Sequence, residues 1–265
     1  MDYHNLSKEA INSAEKLTLP RVTFLFPLMI AFMLLGGGIT AKMGEMLSQG
    51  TKYLTPLTQV EYSFRLHGSF FLVLFWIVYI LFFIVSFWAR RDRIKAYRIH
   101  SYTGIIMFTP TFYNMFVALQ YFIPFLIVRV FYWLLFIVAI VRVGYKLKRG
   151  ESVSISFTID KMKQFSSIIA VLWVMYAGAN LFLGGLDQVM ARLILSLLPI
   201  APPFLILFLS SWYQSVFSTI RALKHIEQNQ EKYRLELGYS VKDWYGKKSK
   251  EYRVELRKLK ENDSK

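Results

Sequence analysis

Ser69 to Trp88 reads SFFLVLFWIVYILFFIVSFW, 20 residues without a charge, and the next ten, ARRDRIKAYR, carry five Lys or Arg. A run of that length and apolarity fits a helix crossing the roughly 30 Å hydrocarbon core of a bilayer. The basic cluster at its end belongs on the cytoplasmic side, because cationic loops resist translocation. This pair of features sets one span and its direction, and the remaining chain is read outward from it.

The composition agrees with a membrane chain. Of 265 residues, 55% are hydrophobic and 17% aromatic, while 18% are charged, and the apolar residues fall in blocks. The formal charge of +15 lies beside apolar runs and in the C-terminal tail. That placement points to topology and to anionic headgroups rather than to nucleic acid, which is not expected as a partner. The absence of cysteine excludes disulfides, thiolate nucleophiles and Cys-ligated metals.

The predicted fold class is all-α, a polytopic membrane protein with about six transmembrane helices. Residues 1–20 form the first segment. Tyr3, Leu6, Ala10, Ala14 and Leu17 recur at helical spacing, which predicts an amphipathic helix lying in the headgroup plane or a short solvated one. Residues 21–218 hold spans near 21–40, 69–88, 104–120, 125–145, 165–183 and 191–217. Residues 219–265 form a basic helical tail on the cytoplasmic side. Span 1 is read as retained rather than as a cleaved signal, because a long mixed-charge segment precedes it. Span 3 competes with a re-entrant hairpin, since FTPTFYN puts Pro110, Thr111, Tyr113 and Asn114 at mid-depth, where polar groups need partners inside the protein. Span 6 carries LLPIAPPF, so Pro202 and Pro203 predict a kinked or broken helix. In the tail, Gly238 is expected to stop one helix, and Ser240 with Asp243 to cap the next. The tail is expected to bind either lipid or a partner helix.

With six spans and the cluster after Trp88 inside, both termini are cytoplasmic. That topology puts 27 of the 32 Lys and Arg inside: three before span 1, five after span 2, six over 142–163 and 13 in the tail. Three lie outside, and Arg129 and Arg192 remain. Removing one span would move a basic segment outside and break the bias.

Candidate functional residues are few. Arg129, in IVRVFYW, is the one charge well inside a predicted span. It either faces a partner, cavity or anionic ligand, or snorkels to the headgroups. Asn114 and Asn180 are read as interhelical hydrogen-bonding residues. Gly36, Gly37 and Gly38 predict a close helix crossing or an unwound turn. Together with Pro110, Pro202 and Pro203 they mark the broken spans. No HExxH or GxSxG motif is present and the four histidines lie far apart, so no enzyme activity, cofactor or metal is expected. The expected function is an integral subunit of a transport or export assembly in the cell membrane, without its own nucleotide-binding motif. The alternative is a non-catalytic scaffold recruiting partners through its tail. The expected partners are the bilayer, anionic headgroups at the cytoplasmic face, and protein in a membrane complex. An intramembrane enzyme acting through Arg129, Asp187 and the polar groups of span 3 is the third reading.

Overall fold

The computed structural model describes residues 2–40, 57–123, 125–149 and 196–263, with positions 42, 46, 167, 170, 171, 173–179, 181, 182, 189 and 193. The regular elements among these residues are all helices, and no strand occurs among them. In chain order the helices are α1 (Tyr3–Lys16), α2 (Leu19–Met33) continuing into a π-turn (Leu34–Ile39), α3 (Gln59–Ser63), α4 (Gly68–Trp88) and α5 (Arg93–Leu119). Next come α6 (Leu126–Arg149), α7 (Ala201–Gln228), α8 (Gln230–Glu236), α9 (Val241–Tyr245) and α10 (Lys250–Asp263). Among the described residues, three stretches are long and apolar enough to cross a membrane: Gln59–Trp88, Leu126–Lys146 and Leu198–Gln228. The protein is therefore membrane-associated. Of span 5, near 165–183, positions 167, 170, 171, 173–179, 181 and 182 are described, and all of them are helical.

Helix α4 starts one residue before the predicted span and stops at the same Trp88. Its 21 residues extend about 31 Å at 1.5 Å each. Beyond Trp88 the expected loop is corrected. The chain reverses within residues 89–92, where the amides of Arg91 and Asp92 both donate to the Trp88 carbonyl at 2.8 Å, and α5 begins at Arg93 rather than near 104. Asp92 caps it, its Oδ1 accepting from the Lys95 amide at 3.0 Å. Aromatic rings support the cations here, with Arg91 4.1 Å from the Phe87 centroid and Lys95 3.8 Å from that of Trp88. The predicted break in span 6 is placed more sharply: a 3₁₀ turn covers Leu198–Ile200 and α7 begins at Ala201. Pro202 and Pro203 thus occupy the first turn, where a missing N–H leaves no helical bond unmade. Pro110 lies inside α5 and cannot donate to the carbonyl four residues back.

The chain divides into two compact units. The terminal unit comprises Met1–Met33, Leu72–Thr109 and Val216–Lys265, so the N-terminal helix and the tail belong to one body. Its core joins Leu6, Ala10 and Ile11 of α1, Ile94 of α5, Ala222, Leu223 and Ile226 of α7, Tyr233 of α8 and Trp244 of α9. Helix α1 is amphipathic as its spacing predicts, and Asp2 caps it through the amides of His4 and Asn5. Its apolar face packs into this core. Gly238 takes φ +69° just beyond α8, and Ser240 Oγ accepts from the Asp243 amide at 3.1 Å, both as expected. A tryptophan in a basic tail reads as a headgroup anchor, but Trp244 is fully buried, its indole N–H donating to Gln230 Oε1 at 3.1 Å.

The second unit comprises Leu34–Phe71 and Pro110–Ser215. Its aromatic core centres on Phe116, which stacks on Phe136 at 4.6 Å and meets Trp133 edge-on at 4.9 Å. Ile123, Tyr132 and Ile206 complete the cluster.

Candidate functional site

The polar centre of the second unit is built on a short non-helical approach to α4. Thr58 caps α3 with a reciprocal box: the Glu61 amide donates to Thr58 Oγ1 at 3.3 Å, while the Thr58 amide and hydroxyl each donate to Glu61 Oε2 at 2.9 Å. Arg129, in the first turn of α6, reaches that same oxygen, its Nη1 at 3.4 Å. The two side chains are 4% and 8% exposed. Arg129 thus faces an acid supplied by the chain itself. At such burial each charge leans on the other, because a low-dielectric interior penalises a charge that loses its counter-ion.

Asn114 lies on α5 and is fully buried. Its Oδ1 accepts from the Leu66 amide at 2.9 Å, and its Nδ2 donates to the Leu66 carbonyl at 3.1 Å and to the Gly37 carbonyl. One side chain thereby satisfies three backbone groups on two segments that helical bonding leaves open, which is the interhelical role expected of it. Tyr113 adds a bond from its hydroxyl to the Phe64 carbonyl at 2.9 Å, and the Phe64 ring lies 5.4 Å from Trp133. Residues 58–66 are thus held by α5 through Asn114 and Tyr113 and by α6 through Arg129 and Trp133.

The three glycines separate into different roles. A Cβ on Gly37 would fall inside the Phe71 ring, whereas one on Gly38 would make ordinary contact with that ring at 3.8 Å. Gly36 offers its carbonyl to the Thr40 hydroxyl, which also donates to Leu35 at 2.8 Å. Close packing at Gly37 and a π-turn coincide there, joining the two structures expected as alternatives.

Of the predicted residues, the structure brings Asn114 and Gly37 into contact. Arg129 pairs instead with Glu61, and Asn180 lies outside the described residues. Pro110, Pro202 and Pro203 shape helices and touch none of these polar groups through a hydrogen bond. Glu61 is the residue that sequence reasoning misses, although TQVE over Thr58–Glu61 carries the T-x-x-E capping signature. Among the described residues no three His, Asp or Glu side chains converge as a metal-ligand set.

In the terminal unit the charges are distributed differently. Arg98 pairs with Glu227 at 2.9 Å, and Arg93 donates to the Asp243 carbonyl at 2.8 Å while lying 3.6 Å from Glu15. Burial, followed by the neighbouring carboxylates of Glu9 and Glu231 respectively, pushes the hydroxyls of Tyr97 and Tyr245 up to about 12. Tyr97 donates to Glu9 at 2.9 Å, so both phenols stay neutral and hold their bonds through the ordinary pH range. Compared with protein-family models, curated proteins and solved structures, the chain matches none of them.

Proposed function

We propose that this chain is an integral membrane subunit of a transport or export assembly, with six spans, both termini cytoplasmic and no nucleotide site of its own. The observation carrying this reading is the contrast between a folded tail and one exposed helix. Residues 219–245 contribute Ile226, Tyr233 and Trp244 to a core, yet α10 beyond them leaves Leu256 and Leu259 exposed at 38% and 55%, on the narrow helix face that their spacing shares with Tyr252. An apolar stripe on a charged helix carried by a folded support is the form of a helix-in-groove contact with a partner protein.

Three spans follow from length and composition. The other three are assigned to α2 with its π-turn, to α5, and to the segment containing helical residues 173–179. The positive-inside bias supports this count. Because the chain lacks cysteine, single cysteines report topology directly. Lys52→Cys should react with a membrane-impermeant maleimide on intact cells, and Lys258→Cys only after permeabilisation. The opposite pattern at either position removes the topology.

A stop after Ser249 should abolish co-purification of partner protein while preserving membrane insertion. This cut is more discriminating than one at residue 225, which would also remove core residues. If the purified assembly neither contains nor stimulates an ATPase, the powered form of the reading fails. A scaffold is the second reading, favoured by the Glu61–Arg129 pair: the buried acid faces an arginine of the same chain, whereas coupled transporters keep an ion or acid site at depth. Partner retention without any transported solute or ATPase would select it.

A further inference from the structure

Beside the C-terminal end of α4 the terminal unit contains a cavity of about 350 Å³ that the transport reading does not use. Its walls come from three segments: Ala14 to Thr18 at the end of α1, Ser86 to Arg93 around the α4–α5 turn, and Gly246 to Lys248 between α9 and α10. Four cations line it, Arg90, Arg93, Lys247 and Lys248, against the single carboxylate of Glu15. Two of the lining residues are over nine-tenths buried, Ser86 at 6% exposure and Arg93 at 9%. The Ser86 hydroxyl and the Arg93 Nε both lack a hydrogen-bond partner. Buried donors are rarely left unmade, and here they face a cationic space of ligand size.

The cavity is held in shape by backbone. Gly246 sits at φ +112°, and a Cβ there would come 2.6 Å from the Arg90 carbonyl oxygen. That oxygen accepts from the Lys248 amide at 2.9 Å. The close approach sets Lys247 and Lys248 beside Arg90, and neither lysine ammonium nor the Arg90 guanidinium has a hydrogen bond or ion pair among the described residues. Arg91 and Lys95, by contrast, lie over aromatic rings. The cations of the turn are therefore sorted, some engaged in the fold and some left facing the cavity.

We infer that this cavity binds a phosphate-bearing anion. Guanidinium and ammonium groups with a hydroxyl donor match a phosphate's charge and its several acceptor oxygens. Ser86 and Arg90 lie at the end of the apolar helix, which is the depth of the headgroup layer when α4 spans a bilayer. A lipid phosphate and a soluble phosphomonoester share the required chemistry. The inference rests on α4 as a span and is independent of the transport assignment, since its test reads binding alone.

Full-length protein in uncharged detergent is titrated with phosphatidic acid in one arm and glycerol 3-phosphate in the other. The melting temperature is followed by tryptophan fluorescence. Stabilisation is expected from at least one of them. Response to both identifies the phosphate as sufficient, response to phosphatidic acid alone identifies a lipid, and response to glycerol 3-phosphate alone identifies a soluble ligand. The R90Q/K247Q/K248Q variant should lose roughly ten-fold or more in apparent affinity, as charge-assisted contacts of this kind are each worth about that factor. These three residues are exposed, so the unliganded melting temperature should hold. S86A, a nearly isosteric change, should weaken binding several-fold and keeps the test valid if the triple variant does not fold. R257Q/K258Q/K260Q, which removes the same charge from α10, should bind like the parent. No stabilisation of the parent by either ligand overturns the inference, as does an equal loss in the α10 control or unchanged affinity in both cavity variants.

Discussion

Arg98 in the terminal unit and Arg129 in the second unit each meet one glutamate, at 2.9 and 3.4 Å, yet the two pairs have different physical meanings. The Arg98–Glu227 side chains are 22% and 21% exposed, so water shares the charge, and Lys95 and Lys224 also act on the glutamate. The Arg129–Glu61 side chains are shielded to 4% and 8%. The longer contact is the more consequential one, because burial determines what is left when a partner goes. The terminal unit spreads its cations over main-chain oxygens, rings and several acids. The second unit shields Arg129 and Glu61 together from water, and through them joins a short connecting segment to α6.

The sharpest way to break this comparison is to remove one member of each pair. Arg129→Leu and Glu61→Leu should each destabilise by about 3–5 kcal/mol, because each deprives a buried charge of this counter-ion. The double substitution should recover part of that loss, since the two charges of the pair leave together. Arg98→Gln should cost about 1 kcal/mol or less. Unfolding in mixed micelles, followed by tryptophan fluorescence, measures all four. Additive losses in the Glu61/Arg129 cycle would mean that the pair contributes no coupling and that the two units do not differ in the way described.

A second test stays within the second unit and uses two adjacent residues of the same type. Gly37→Ala should destabilise by about 1–3 kcal/mol, the usual cost of forcing extra volume into a packed site, because its methyl meets the Phe71 ring. Gly38→Ala should be neutral or slightly stabilising, as alanine is the better helix former and the nearest ring atom is 3.8 Å away. Pairing Gly37→Ala with Phe71→Leu should return part of the loss. Equal effects at positions 37 and 38 would show that the triplet acts through backbone flexibility instead of close packing.

The same contrast explains how far the bare amino-acid sequence discloses the fold. Helix α4 is legible because 20 uncharged residues admit little else, and α6 because its apolar run ends in Lys146, Lys148 and Arg149. The start of α5 is not, since Arg93, Lys95 and Arg98 resemble a loop until the rings and acids that receive them are known. Asn114 is legible as an interhelical group from its type and depth, but its three partners are not, because they depend on where Gly37 and Leu66 expose backbone. Glu61 is hidden by its setting: a polar segment offers many acids, and burial of one of them is a tertiary event. Trp244 misleads for the mirror reason, because a tryptophan in a basic tail resembles an anchor until α1 and α7 are packed around it.

The smallest expected effect sharpens the comparison from its exposed end. Glu231 accepts from Arg234 through Nε at 3.0 Å and through a second guanidinium nitrogen, and the Tyr245 hydroxyl donates to it at 3.3 Å. The Arg234 hydrogen bonds, opposed by partial burial, hold its carboxyl below the usual carboxylate range. A carboxylate whose folded pKa is depressed contributes stability above its unfolded value and loses that contribution as pH falls through the folded one. The side chain is 58% exposed, so solvent limits the effect to below about 1 kcal/mol. Unfolding at successive pH values from neutral into acid should show a slightly shallower acid limb in Arg234→Gln than in the parent, with the difference vanishing below the folded pKa. Raising salt from low to near-molar concentration should erase that difference, because the Debye length shrinks to about 3 Å and the pair is open to ions. The Arg129→Leu loss should persist under the same change, because screening ions do not enter its site. If salt removes both, Arg129 and Glu61 are solvated in the folded protein, and the distinction between a shielded pair and an open one fails at its root.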